Sequence, residues 1–473
     1  MRKLTIGCAL VLLLVGAGGA WSQSERIRQD ITQQDQREVS LTIYNANLGL
    51  VKDVRDVHLP SGQGDVRFMD VAAQIDPTSV HLKSLTDPNG LRILEQNYEY
   101  DLLSAQKLME KYVGRRVRIY QNNGSYQEAT LLSANGPIFE INGQIHVGHA
   151  GTLVYPSLPD NLVSKPTLVW LLRNAKPAPQ RVEASYLTSG MSWKADYVLV
   201  INPADTRGDL SGWVTIDNQS GAAYREASLK LVAGDIHRAQ DRLRSRGALE
   251  LAAKAVPASV ADRAFVEEGF FEYHLYTLDG RTTVKNNQTK QIALLAANDV
   301  PVVKRYVFYG AENYYRTSYG VPMSNQKVSV LMELTNARTN NLGMPLPKGK
   351  LRVYKADRSG SQQLIGEDWI DHTPKDEKVK VKLGEAFDVV GERVQKDWKA
   401  VARGVYEVEW EITLRNHKTE DATVEVIEPL PGDWEVLRST HPHEKLDAHT
   451  VKFVEPVPKD GASKVTYRVR LRW

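Results

Sequence analysis

The sequence is almost without cysteine. Its 473 residues contain one, Cys8, which lies in an apolar N-terminal stretch. A disulfide scaffold, a cysteine zinc finger and a thiol enzyme are therefore poor readings of this chain. Long hydrophobic runs are missing too. After residue 20 no stretch reaches the ~20 consecutive apolar residues of a membrane-spanning helix. Charge of one sign is also missing: 60 Lys and Arg against 57 Asp and Glu leave a net charge of +3, so no global electrostatic argument points to nucleic acid. The chain has no Gly-x-x-x-x-Gly-Lys phosphate loop, no Gly-x-Ser-x-Gly elbow and no His-Glu-x-x-His pair.

What is present begins with an export signal. Arg2 and Lys3 form a positive start, residues 4–15 are apolar, and Ala20-Trp21-Ser22 fits a small-x-small cleavage site. Residues 1–22 are expected to be a signal peptide. Its removal would take Cys8 and lower the net charge from +3 to +1, because Arg2 and Lys3 leave with it. The mature chain is then expected in the periplasm or outside the cell, without a disulfide and without a transmembrane helix. Residues 23–39, polar and rich in Gln, read as a disordered leader.

The rest reads as strands. Residues 40–92 alternate around Leu41, Ile43, Val54 and Val57, with a turn at Pro60-Ser61-Gly62, and are expected to pack on a sandwich. Residues 93–114 place Leu94, Tyr98, Leu102, Ala105, Leu108, Met109, Tyr112 and Val113 near the helical period, with Gly114 positioned as a C-cap, and predict an amphipathic helix. In residues 115–155, turns at Asn123-Gly124, Asn135-Gly136 and Asn142-Gly143 separate four short strands, the pattern of a small SH3-like barrel. Residues 156–335 predict a β-sandwich interrupted by a linker at 237–268, which carries Arg238, Arg242, Arg244 and Arg246. Residues 336–473 predict a C-terminal Ig-like sandwich. Three strand-like runs end in Asn218, Asn336 and Asn416, a residue that tolerates left-handed backbone and bonds backbone nearby. The last run alternates Val465, Tyr467, Val469 and Leu471 with Arg468, Arg470 and Arg472 and reads as an edge strand blunted by arginine. The expected fold class is all-β: Ig-like sandwich regions, a small SH3-like barrel and one amphipathic helix.

No catalytic or cofactor-binding residue is assigned. His441, His443 and His449, beside Glu444 and Asp447, are the candidate metal ligands, although Pro442 argues for a loop and no metal or other cofactor is expected. His146 and His149 form a weaker group. Most tryptophans fall in alternating strands and are expected in cores. Trp398, with the weakest strand context, and Asp388, a lone carboxylate, are the candidate ligand surface. Glu367, Asp368, Asp371 and His372 lie nearby in sequence.

The stretch from Tyr186 to Tyr197, with Tyr186-Leu187-Thr188-Ser189-Gly190-Met191-Ser192-Trp193, resembles the secreted bacterial domain of unknown function 4139. So do residues 210–218, 229–235, 345–349, 384–388 (Gly-Glu-Ala-Phe-Asp) and 415–418 (Arg-Asn-His-Lys). The resemblance implies a β-rich envelope protein and carries no catalytic residues over. The related mucoidy-inhibitor proteins are similar only in part, since they usually carry a long helical hairpin near the N-terminus. The expected function is that of an exported, non-enzymatic binding or scaffold module of the cell envelope, its partner an envelope protein or polysaccharide and not nucleic acid. The alternatives are a hydrolase or metal-dependent enzyme acting on envelope polymers through Asp388 or the His441 group, and an outer-membrane-associated component.

Overall fold

The computed structural model describes residues 27–149, 151–159, 162–234, 236–237, 265–311, 315–319 and 327–472. The expected signal peptide, residues 23–26 of the leader and residues 238–264 of the linker lie outside the described residues. Strand makes up 67% of the structure and helix 4%, which places the chain in the all-β class. Among the described residues no helix is long and apolar enough to cross a membrane.

The chain divides into two compact units, and neither is contiguous. The first takes Met1–Asp35, Arg55–Asp70 and Leu82–Val182, the second Gln36–Val54, Val71–His81 and Glu183–Trp473. Strand pairing explains the interleaving. Gln36–Tyr44 runs parallel to Tyr224–Ala233, Ser40 opposite Ser228, so an early strand belongs with late ones. Parallel neighbours need long connections, which local sequence patterns do not reveal.

In the first unit, Ile27–Ile31, Gly62–Met69, Thr167–Asn174 and Leu91–Glu99 lie side by side in one sheet. The Gln-rich leader is therefore structured from residue 27. Ile31 is buried, and the buried Arg55 donates from Nη1 to the carbonyls of Ile31 at 3.1 Å and Met69 at 2.8 Å. The guanidinium also sits 3.7 Å from the centre of the Phe68 ring, so a buried cation is hydrogen-bonded and stacked instead of orphaned.

The predicted helix is shorter than expected. Leu91–Glu99 pairs antiparallel with Thr167–Asn174, Tyr98 opposite Leu168, and the α-helix spans Ala105–Lys111. Ser104 caps it by accepting the Lys107 N–H at 3.1 Å. The helical spacing of Leu94 and Tyr98 was incidental, because available strand partners override local periodicity. Leu108, Met109 and Tyr112 do behave as an apolar helix face and cover the core of a five-stranded sheet built on Val117, Ile119, Leu131 and Phe139.

That sheet runs Gln144–Val147, Ile138–Ile141, Tyr126–Ser133, Arg116–Tyr120, Thr152–Val154. The Asn142-Gly143 turn has both residues at positive φ, 53° and 75°, as a tight hairpin requires. The expected barrel does not close. The two outer strands, of four and three residues, each pair with one neighbour, and they are too short to bridge the remaining gap.

In the second unit the largest sheet runs Gln362–Ile370, Gly349–Ala356, Met191–Ile201, Arg207–Asn218, Gln288–Tyr309, Lys327–Thr335, Lys378–Ala402, Val405–Asn416, Gly461–Arg472, Asp433–Ser439. The boundary expected at residue 336 is thus not a domain boundary: Gly349–Ala356 runs parallel to Met191–Ile201, Gly349 opposite Ala195. At the C-terminal end two layers face each other. Val408, Trp410, Ile412 and Leu414 alternate inward from Val405–Asn416, and Val465, Tyr467, Val469 and Leu471 from Gly461–Arg472. Val424, Val426, Val451 and Phe453 meet them from Ala422–Pro429 and Thr450–Val457. The period-two pattern fixes this register, since a one-residue slip would turn every inward side chain out. Each side chain so buried contributes roughly 1.5–3 kcal/mol.

The last strand is not an edge. It lies between Val405–Asn416 and Asp433–Ser439. Its outward arginines pair across the sheet, Arg470 with Glu407 at 2.6 Å and Arg468 with Glu409 at 2.8 Å. Arginine there neutralises the glutamates of a neighbouring strand.

The three strand-closing asparagines are fully buried and act as knots. Asn218 donates to the carbonyls of Ala222 and Lys285 at 2.9 and 3.0 Å. Asn336 donates to those of Met344, Thr373 and Pro374 at 2.8, 3.3 and 3.0 Å. Asn416 donates to those of Glu420, Val457 and Pro458 at 2.9, 3.2 and 3.2 Å. Each ties the end of its strand to carbonyls of the segments packed around it.

Candidate functional site

A pocket of about 300 Å³ lies in the second unit. Four separate segments bring a charge to one wall. After Met191–Ile201 the chain turns at Asn202, whose Oδ1 accepts the N–H groups of Thr206 and Arg207 at 3.0 and 3.2 Å. Asp205 occupies the left-handed region of that turn, φ 57°, which Asp tolerates better than most residues. Its carboxylate receives Lys304 of Gln288–Tyr309 at 2.8 Å and also Lys355 of Gly349–Ala356. Tyr306 stands two residues after Lys304, on the same strand face.

Lys418 arrives from the turn that Asn416 organises. Its backbone N–H donates to Asn416 Oδ1 at 3.0 Å, and its Nζ donates to the Tyr306 hydroxyl at 3.1 Å and pairs with Glu420. The ammonium groups of Lys304 and Lys418 each lie 5.5 Å from the centre of the Tyr306 ring.

Residues 384–389 of Lys378–Ala402, and Val330 and Met332 of Lys327–Thr335, also line the pocket. Glu385 accepts from Ser329 Oγ at 3.1 Å and pairs with Lys382 at 2.7 Å. Asp388 is exposed, and its carbonyl receives the His417 N–H at 2.7 Å. Phe387, between them, is 93% exposed, an extreme value for a large apolar side chain within a strand.

The electrostatics push these groups toward their charged forms. Burial would raise the Asp205 carboxyl, but hydrogen bonds from Lys304 and Lys355 outweigh it and hold it below the usual range. Burial would lower the Lys304 ammonium, but Asp205 raises it, against the opposing field of Lys418. The Lys418 ammonium is raised in the same way, with burial outweighed by Glu420 and Tyr306. The hydrogen bond from Lys382 leads in lowering the Glu385 carboxyl.

Of the residues singled out from sequence, Asp388 lines this pocket. Trp398 does not. It packs partly buried against the C-terminal core, its Nε1 donates to the Tyr315 carbonyl at 3.0 Å, and its ring lies 5.5 Å from that of Tyr406. The strand Lys378–Ala402 holds it there, with Trp398 opposite the buried Val408. The three histidines are not brought together. His441 Nε2 lies 3.3 Å from the buried Glu455, the His443 ring rests against Phe453, and the His449 backbone donates to Asp447 at 2.7 Å. Among the described residues no group of three His, Cys, Asp or Glu side chains converges on a point. His149 packs against Phe139, 5.3 Å between ring centres. Glu367 pairs with Lys350 and Arg352, away from Asp388. Asp205, Lys304, Lys355 and Tyr306 were missed, since they come from three separate stretches of the chain with no local motif. The signal that did exist was the pair of stretches 384–388 and 415–418, both of which end at this pocket.

Residues 182–473, more than half of the chain, match the family described as Domain of unknown function (DUF4139). No curated protein matches the chain.

Proposed function

The chain belongs to the domain of unknown function 4139 family, and from that premise we propose that it is an exported binding module of the cell envelope whose partner occupies the Lys304–Lys418–Phe387 pocket. The protonation of the pocket carries this reading. A general acid or base works best when its pKa lies near the operating pH. Here Lys304 and Lys418 are pushed up and Asp205 and Glu385 are pushed down, so all four groups favour their charged forms at neutral pH. Fixed charges beside an exposed aromatic ring suit recognition. The Arg2-Lys3 start, the apolar stretch and the Ala20-Trp21-Ser22 site support export.

Two measurements test the reading. Fractionation of cells expressing the full chain is expected to recover a processed form, shortened by the leader, outside the cytoplasm; an unprocessed cytoplasmic chain would count against export. A photo-crosslinking residue at position 387 is expected to form an adduct with an envelope component that is lost on Lys304→Gln. An adduct unaffected by that change would remove the pocket from the proposal.

A further inference from the structure

We propose that the pocket takes an anionic group, a carboxylate or a phosphate ester, carried on a flat apolar body, with the anion among Lys304, Lys355 and Lys418 and the body against Phe387. This rests on the reading of the pocket as a binding site and names its ligand class.

The first argument is charge. Lys304, Lys355 and Lys418 stand against the carboxylates of Asp205 and Glu420, one positive charge in excess within this cluster; elsewhere in the lining Glu385 is offset by Lys382, and Asp388 carries its negative charge out to solvent. Lys304 and Lys355 share the single carboxylate of Asp205, and Lys304 and Lys418 face the same tyrosine ring, so an anion placed among them can be met by more than one ammonium group. Their side chains are only 21–30% exposed, so an anion placed there meets ammonium groups already stripped of much water and gains more than at an open surface.

The second argument is shape. Glu385 and Phe387 both line the pocket. Glu385 is occupied by Lys382 and Ser329, whereas Phe387 stands open to solvent and lines the same cavity as Val330 and Met332. A ring left in water at the mouth of a cavity gains by covering apolar area when a ligand body lies on it. The opposite sign of ligand fits less well: of the acidic groups, Asp205 and Glu385 are saturated by lysine, and Asp388 lies exposed at the rim. A volume of about 300 Å³ is at the small end of ligand pockets, the size of a small molecule or of one unit of a larger one.

The test is calorimetric titration of the full chain with phenyl phosphate, phenylacetate, inorganic phosphate and benzylammonium. The two aromatic anions are expected to bind and benzylammonium not to. Lys304→Gln and Lys418→Gln are each expected to weaken the aromatic anions about tenfold or more, the scale of a lost hydrogen bond to a charged group. Phe387→Ala is expected to erase the advantage of phenyl phosphate over inorganic phosphate and leave inorganic phosphate unchanged. Phenyl phosphate binding above phenylacetate would identify a phosphate source, and the reverse order a carboxylate source. Benzylammonium binding as well as the anions, or anion binding that survives both lysine changes, overturns the proposal. If no anion binds while the position-387 crosslink still forms, the ligand class is wrong and the binding site stands; if both fail, both readings fall.

Discussion

The C-terminal sandwich buries an ion pair at its centre, and removing one partner should cost far more than removing both. The side chains of Arg393 and Glu428 are 2% and 0% exposed, with Nη2 2.8 Å from Oε2. That oxygen also accepts from the Tyr467 hydroxyl at 2.8 Å and the Tyr315 hydroxyl at 3.2 Å, while Arg393 donates to the Tyr315 hydroxyl at 2.8 Å and its guanidinium lies 3.5 Å from the centre of the Trp410 ring. At an effective dielectric of about 20, two unit charges about 4 Å apart attract by roughly 4 kcal/mol, but the desolvation of both offsets most of this. Arg393→Met strands a carboxylate among aromatic rings, and Glu428→Leu strands a guanidinium. Each should destabilise the protein by about 3–5 kcal/mol. The double variant Arg393→Met/Glu428→Leu removes both charges and should come back to within about 1 kcal/mol of the parent, or exceed it. Urea unfolding followed by tryptophan fluorescence reads this, because Trp410 is in contact with the pair. Single variants that each lose less than about 1 kcal/mol, or a double variant that loses the sum of the two, would refute the picture of two buried charges that need each other.

Asn416→Ala takes the donor from three carbonyls and the acceptor from the Lys418 N–H; at about 1 kcal/mol for each bond it should cost about 4 kcal/mol in the same urea assay. Gly310→Ala places a Cβ 2.5 Å from the Glu428 carboxylate and should lower stability by about 1–3 kcal/mol through forced displacement of the buried pair, visible as a lowered melting temperature. Burial, with Tyr100 adding to it, pushes the Tyr98 hydroxyl up to about 12, and burial raises Tyr276 and Tyr467 well above their ordinary value. Above pH 10 the unfolded chain therefore ionises its tyrosines before the native chain does, so native stability should fall steadily as pH rises from 10 toward 12. Absorbance of tyrosinate at 295 nm should show part of the tyrosine absorbing only on unfolding.

The strands were legible because alternation is a local signal. Val408, Trp410, Ile412 and Leu414 announce an inward face whatever they pair with, and all are buried. The Asn closures were legible for a related reason, since a polar amide ending an alternating run needs local carbonyls to bond. Pairing partners were not legible. Nothing in residues 191–201 tells that the parallel neighbour is 349–356, and nothing in the Gln-rich leader tells that Ile31 will be buried. The same gap hid the site. A motif search looks for chemistry carried by neighbours in sequence, whereas Asp205, Lys304 and Lys355 become neighbours only through strand order. Trp398 misled for the opposite reason: weak local alternation suggested exposure, but strand pairing sets it opposite the buried Val408 and puts the ring on the core.

Register also explains why two short stretches of the family resemblance meet at one place. Val389 pairs with Asn416, and the pairing of Lys378–Ala402 with Val405–Asn416 begins there. On one strand, the two residues before Val389 are Phe387 and Asp388, at the mouth of the pocket. On the other, Asn416 ends the strand and its side chain accepts the Lys418 N–H, which sets Lys418 against Tyr306. The backbone bond from His417 N–H to the Asp388 carbonyl, 2.7 Å, ties the two ends together. The amide that closes the core of the sandwich therefore also sets the geometry of the pocket, so a change at Asn416 should alter ligand recognition as well as stability. A change at Phe387, exposed and outside the core, should alter recognition alone.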